Sequence, residues 1–175
     1  MTTEPAWLTA ARAKLGTREA PGVANNPTIL GWAKRLGVKV LGIAYNADSV
    51  PWCGLFVAWC LSDAGFDLAA DGLHRMRVAV RASAWATWGS NLARDRLAPG
   101  AILVFERPGG GHVGFYVGED TAAYHVLGGN QGDSVTVTRI AKARLVASRW
   151  PKGVPVIGAP VRLATSGKPL SSTEA

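Results

Sequence analysis

The sequence predicts an α+β domain, on three observations. Helix-spaced apolar residues dominate the N-terminal third, a wholly apolar run follows at 55–61, and from Pro99 onward the pattern turns to short β-rich runs broken by turn signals. The chain has 175 residues, enough for one cored domain and too few for two. Residues 1–163 are read as that domain and 164–175, ATSGKPLSSTEA, as a flexible tail.

Each element has its own signal. A first helix is expected over 4–15, with Thr3 as N-cap, Pro5 in its first turn, Gly16 as its stop, and Trp7, Leu8, Ala11 and Leu15 as its buried stripe. Asn26 should cap a second helix that has Pro27 at its first position and ends near Gly37, with Ile29, Leu30, Ala33 and Leu36 facing inward. The segment after Pro51, WCGLFVAWCLSDAG, reads as a third helix closed by Gly65. Because it is apolar on every side it should be buried on every side, with Cys53 in its first turn. Ser83 is a candidate cap for a short helix ending at Gly89. Five strands are expected in AILVFE, VGFYVG, AAYHVL, SVTVTRI and LVASRW, with PVIGAPVRL as a sixth. The sheet should be antiparallel, a meander packed against the helices.

Composition narrows the function classes. Nineteen Lys and Arg against twelve Asp and Glu give a net charge of +7, which suits a polyanionic partner without choosing one. The cations are scattered; Arg75, Arg77 and Arg81 form the densest group, without the aromatic interleaving of a single-strand binder, so nucleic acid is not the expected partner. No run approaches the roughly 18 apolar residues of a membrane span, so no stable insertion is expected. The N-terminal residues lack a secretory h-region, so synthesis in a cytosol without a signal peptide is expected. Were Cys53 and Cys60 on one helix they would lie ~10 Å apart along its axis, too far for a disulfide. Two free thiols fit a reducing compartment.

Cys53 is the residue with chemical promise. A helix N-terminus stabilises a thiolate through unpaired N–H groups and the helix dipole, whereas Cys60, two turns deeper, reads as core. Taken alone, Cys53 could equally be a core residue. His112 shifts that balance. It follows a glycine loop and opens the strand HVGFYVG, which places an imidazole at a sheet rim where a helix N-terminus can meet it. A third group should orient the imidazole. His125 and Asn130, in YHVLGGNQ, are the candidates, and hairpin register decides between them. A two- or four-residue turn pairs His112 with Leu127 and brings His125 to its face; a three-residue turn pairs it with Gly128 and brings Asn130 there.

Several decoys fail. The match of residues 109–114 to GxGxxG precedes a strand rather than a helix. The positions of Cys53, Cys60, His74, His112 and His125 fit no zinc pattern, so no metal is expected. Glu19 with Asp48 is the only carboxylate pair to suggest for a glycosidase, and nothing supports it.

The order and spacing of PWCGLFVAWC, GAILVFERPGGGHVGFYVG and VLGGNQGDSV resemble the CHAP family of cysteine, histidine-dependent amidohydrolases and peptidases, and the related NlpC-type peptidases on the same papain-like fold. GTREAPG, VLGGNQ and RWP further resemble small single-domain phage lysis proteins. The likeness spans roughly residues 15–151. It implies an endolysin-like peptidoglycan hydrolase with no cofactor, acting as a monomer on the cell wall after release from the host cytoplasm. By motif, Cys53 is the nucleophile, His112 the general base and Asn130 the third residue, with His125 at the place of the NlpC-type histidine. The CHAP acid two residues before the asparagine is here Gly128. Tyr45 is a candidate oxyanion donor, and Glu19, Trp52 and Gln131 are candidate substrate contacts. A wall-binding or phage structural module on the same fold, and a secreted antibacterial amidase, are the competing classes.

Overall fold

The computed structural model describes residues 4–70, 78–164 and 169–174. Three helices precede a six-stranded antiparallel sheet: α1 (Ala6–Arg12), α2 (Pro27–Leu41) and α3 (Cys53–Asp63), then β1 (Ser90–Asn91), β2 (Ile102–Arg107), β3 (Gly110–Glu119), β4 (Ala123–Gly128), β5 (Thr136–Ala141) and β6 (Leu145–Trp150). The strand order is β1-β6-β2-β3-β4-β5. This is the expected α+β architecture, and it is consistent with a papain-like fold.

Helix α3 is the centre of the molecule. Every residue from Cys53 to Leu61 is buried, and the helix packs on α1, α2 and β3. Phe56 meets Phe115 of β3 edge-on, and Trp32 of α2 packs on Phe56 and stacks on Trp59. Each such buried side chain contributes roughly 1.5–3 kcal/mol from water exclusion, so the all-apolar sequence is what fixes α3 at the centre. Close approach also needs Gly54: a Cβ there would lie 2.2 Å from the Ala79 carbonyl oxygen.

The other elements depart from expectation in instructive ways. Helix α1 starts after Pro5 and ends at Arg12, so Leu15 is exposed while Trp7, Leu8 and Ala11 are buried. The Thr3 cap lies outside the described residues. Asn26 does cap α2, its side chain accepting the Thr28 N–H at 2.8 Å. Gly37 interrupts α2 with φ 74° but does not end it; another turn runs to Leu41, where left-handed Gly42 closes it on the Val38 carbonyl. Ser83 caps nothing: Ala82–Thr87 is a 3-10 helix entered from Arg81.

The sixth strand is Ser90–Asn91, paired with β6, rather than PVIGAPVRL. The latter segment carries Pro155 and Pro160, which donate no ladder bonds, and it meets the end of β3, where Glu119 exchanges backbone hydrogen bonds with Val161 and Leu163 and the Tyr116 hydroxyl accepts the Val161 N–H. Residues 169–174 do not hang apart from the domain. The Ser171 N–H donates to the Arg139 carbonyl and the Gly132 N–H to the Thr173 carbonyl, while Glu174 is buried in an ion pair with Arg144. A buried carboxylate needs its cation and a strand-like edge needs partners; together they hold polar residues that composition alone reads as tail.

Two of the helical glycines give a stability test. Gly54→Ala should cost about 3 kcal/mol through the Ala79 clash. Gly31→Ala in α2, which meets nothing within 4 Å, should stabilise by about 0.5–1 kcal/mol. Urea denaturation midpoints of the two variants check both signs.

Candidate active site

Cys53 is the first residue of α3, after Pro51 and Trp52. Its thiol is buried. Burial pushes its pKa up, opposed by the N–H groups of Val113 and Gly54, by the Arg107 cation and by its own N–H. The Val113 contact matters for placement, because it sets the sulfur against β3 one residue from His112. Cys53 also lines a cavity of about 610 Å³ together with Val50, Val80, Val104, Phe105 and the Arg107–Gly111 hairpin. Cys60 is wholly buried in the core; both cysteines are free thiols.

His112 pairs with Phe105 across β2–β3 and is fully buried. Burial pulls its pKa down to about 4, so it is neutral at pH 7. Its Nε2 lies 2.9 Å from Gln131 Oε1. The Gln131 amide nitrogen donates to the carbonyls of Val126 (3.1 Å) and Thr136 (2.7 Å), which fixes which end of the amide faces the imidazole. An amide oxygen only accepts. Nε2 therefore carries the proton, and Nδ1 of the neutral ring carries the free lone pair. Nδ1 is buried and has no hydrogen-bond partner among the described residues, so thiol and imidazole are not hydrogen-bonded to each other in this structure.

The orienting contact thus falls to Gln131, and neither expected third residue makes it. His125 is turned to other work: its Nε2 lies 2.8 Å from Asp120 Oδ2, and Arg139 grips the same carboxylate at 2.8 and 3.1 Å. Asp120 also accepts the N–H groups of Ala122 and Ala123, so this buried cluster pins the β3–β4 turn. Asn130 sits just past β4 with φ 58°.

Neither anticipated register occurs. Phe115 faces Leu127 and Tyr116 faces Val126, but a bulge at Val117 shifts the pairing to Gly118–His125. One extra residue on β3 breaks the parity on which sequence reasoning relied. Left-handed Asn130 then turns the chain, the Gln131 N–H closes on the Ser134 carbonyl at 3.0 Å, and the next side chain folds back over the strand end. Asn tolerates this conformation better than most residues, so an Asn after two glycines was the available signal.

Gly128 explains why the glutamine fits. A Cβ at Gly128 would lie 2.7 Å from Gln131 Oε1 and 3.2 Å from His112 Nε2. The space an acid would take at that position is filled by the Gln131 amide.

The remaining predicted contacts are dispersed. Trp52 is fully buried and donates its indole N–H to Glu19 Oε1 at 2.7 Å. It packs under Gly129, so it is a strut under the site rather than a groove wall. Glu19 is half-buried, and burial raises its pKa. The Tyr45 hydroxyl donates to the Val50 carbonyl at 2.8 Å, so as placed it is committed to the loop before α3. His74, Arg75 and Arg77 lie outside the described residues. Among the described residues no three His, Cys, Asp or Glu converge on a metal position, and no helix is long and apolar enough to cross a membrane.

A buried cysteine at a helix N-terminus, set against the strand of an amide-oriented histidine, coincides with a known domain: residues 45–130 match the CHAP domain family. The chain carries a CHAP domain. Domains of this family are peptidoglycan hydrolases and amidases, generally dependent on a cysteine and a histidine. Cys53, His112 and Asn130 fall inside the CHAP match, whereas Gln131 lies one residue beyond it. No curated protein matches the chain.

Two measurements probe this geometry. Only neutral His112 can accept a proton, so the acid limb of kcat/KM should fall near pH 4, with activity retained above it. Gln131→Glu puts a carboxylate against the ring, which favours imidazolium and should move that limb up by a pH unit or more. Gly128→Ala should displace the Gln131 oxygen and lower kcat while leaving KM within about twofold.

Proposed function

We propose that this CHAP domain cleaves an amide bond of the bacterial cell-wall peptide by thiol acyl transfer. The observation that carries the reading is the placement of Cys53: it lies at the N-terminus of the central helix, opens onto the cavity and abuts the His112–Val113 strand. His112 Nδ1 takes the thiol proton, and the sulfur attacks the amide carbonyl. The Cys53 backbone N–H, at the positive end of α3, faces the developing oxyanion. Imidazolium then returns its proton to the leaving amine as the C–N bond breaks. Water, deprotonated by the same nitrogen, hydrolyses the thioester and frees Cys53. Gln131 holds the ring throughout and does not exchange protons with it.

Both groups are buried, and burial favours the neutral thiol and neutral imidazole over the ion pair. Proton transfer therefore belongs to the attack step, in which substrate displaces the groups covering the thiol. The +7 charge favours accumulation on an anionic envelope. The resemblance of GTREAPG, VLGGNQ and RWP to phage lysis proteins supports an endolysin role, with the enzyme reaching the wall after release from the cytoplasm. The burial of both reactive groups favours a second reading, a non-catalytic wall-binding module.

One experiment separates the two readings: digestion of purified diaminopimelate-type sacculi, with mass spectrometry of the soluble products. Wild type should release fragments whose new termini name the bond, and Cys53→Ala should release none. Gln131→Ala should lose about 10²-fold or more in kcat, whereas Asn130→Gly, which keeps the left-handed backbone, should retain activity within about threefold. Binding of wild type and Cys53→Ala to sacculi without release by either would support the wall-binding module.

A further inference from the structure

The cavity at Cys53 is apolar inside and charged at its rim. Ile43, Val50, Val80, Ala86, Val104 and Phe105 form its walls, and Arg81, Glu106 and Arg107 stand at its mouth. Arg81 and Glu106 are exposed, whereas Arg107 is half-buried. The Arg107 Nε makes one long bond, 3.4 Å to the Gly111 carbonyl. The other well-placed arginines have assigned partners: Arg139 holds Asp120, Arg144 holds Glu174, and Arg149 donates to the carbonyls of Trp88, Thr87 and Gly89. Among the described residues no carboxylate pairs with Arg107.

Its charge nevertheless bears on the site. The Arg107 cation favours the Cys53 thiolate and disfavours His112 imidazolium, so the guanidinium lies within electrostatic reach of both. A half-buried guanidinium with unfilled donors, on the lip of an apolar cavity, is matched by a carboxylate carried on a small apolar chain. The walls here are Val, Ala, Ile and Phe, which suit alanine-sized and methylene groups rather than sugars.

We propose that Arg107 is a specificity residue that binds a free carboxylate on the substrate residue flanking the scissile amide. The enzyme therefore selects wall peptides whose carboxylate is unmodified over the same peptides with that group amidated. The inference rests on the proposed amidase or peptidase function and names the chemistry that the same site reads. Peptidoglycan stems supply the contrast, because the α-carboxylate of their γ-linked D-glutamate occurs both free and as the amide. The amide places an NH₂ against a cation, leaving donors facing donors.

The test uses two stem peptides identical except for D-glutamate or D-isoglutamine, with kcat and KM measured separately. Wild type should prefer the free acid by tenfold or more in kcat/KM, mainly through KM. Arg107→Gln should bring the ratio near one by losing activity on the free acid alone, and Arg107→Lys should keep part of the preference. Thermal melting of both variants should stay within a few degrees of wild type, because Arg107 makes one weak internal bond. Equal cleavage of the two peptides by wild type, or an unchanged ratio in Arg107→Gln, overturns this inference and leaves the proposed function standing. Cleavage of neither peptide, together with inert sacculi, overturns the proposed function and this inference with it.

Discussion

The hydrogen bond between Gln131 Oε1 and His112 Nε2 is the constraint around which the site is organised. A buried imidazole can bond through either nitrogen, and its tautomer follows from whichever partner is fixed first. Here the partner is fixed firmly, because the Gln131 nitrogen is committed to two strand carbonyls. The amide cannot flip without leaving buried carbonyls unpaired, at a cost of about 1–3 kcal/mol each. One side chain therefore sets the ring orientation, its tautomer and the nitrogen whose lone pair is left without a partner. A carboxylate in the same place would orient the ring as well, but would also draw it toward imidazolium.

Much of the remaining structure provides the room for that bond. Gly128 leaves space for the Gln131 oxygen and Gly129 lets Trp52 pass beneath the turn. Trp52 is in turn anchored by Glu19, thirty-three residues earlier in the chain. The bulge at Val117 and the left-handed Asn130 together carry the chain past the end of β4 and back over His112. On the far side, residues 171–174 pair with the Gln131 region and bring Glu174 to Arg144. The segment that composition marks as least structured thus braces the turn that carries Gln131, while its Glu174 charge favours the His112 imidazolium and opposes the burial that lowers the ring's proton affinity.

The fold was legible because it rests on strong periodic signals. The apolar run of α3, the Asn26–Pro27 start of α2 and the five alternating strands are local patterns, and tertiary contacts reinforced them. The placements of Cys53 at a helix start and of His112 near a strand start were legible for the same reason, since both are sequence-level positions. The third residue was not. It depended on a one-residue bulge and on a backbone turn at Asn130, and either can reverse which side chain faces the ring. The mistaken PVIGAPVRL strand and the unforeseen contacts of residues 169–174 have a common cause. Both segments are held to the sheet by a few long-range bonds to Glu119, Arg139, Gly132 and Arg144, and none of these has a local signature.

The central claim, that His112 is a neutral base with its proton held on Nε2, is open to direct observation. Long-range ¹H–¹⁵N correlation NMR of the imidazole ring reports the protonation of each nitrogen across a pH titration. The account predicts a protonated Nε2 and a bare Nδ1 from neutral pH down to about pH 5, with imidazolium appearing only near pH 4. A ring protonated on Nδ1, or an imidazolium already present at pH 7, would contradict it.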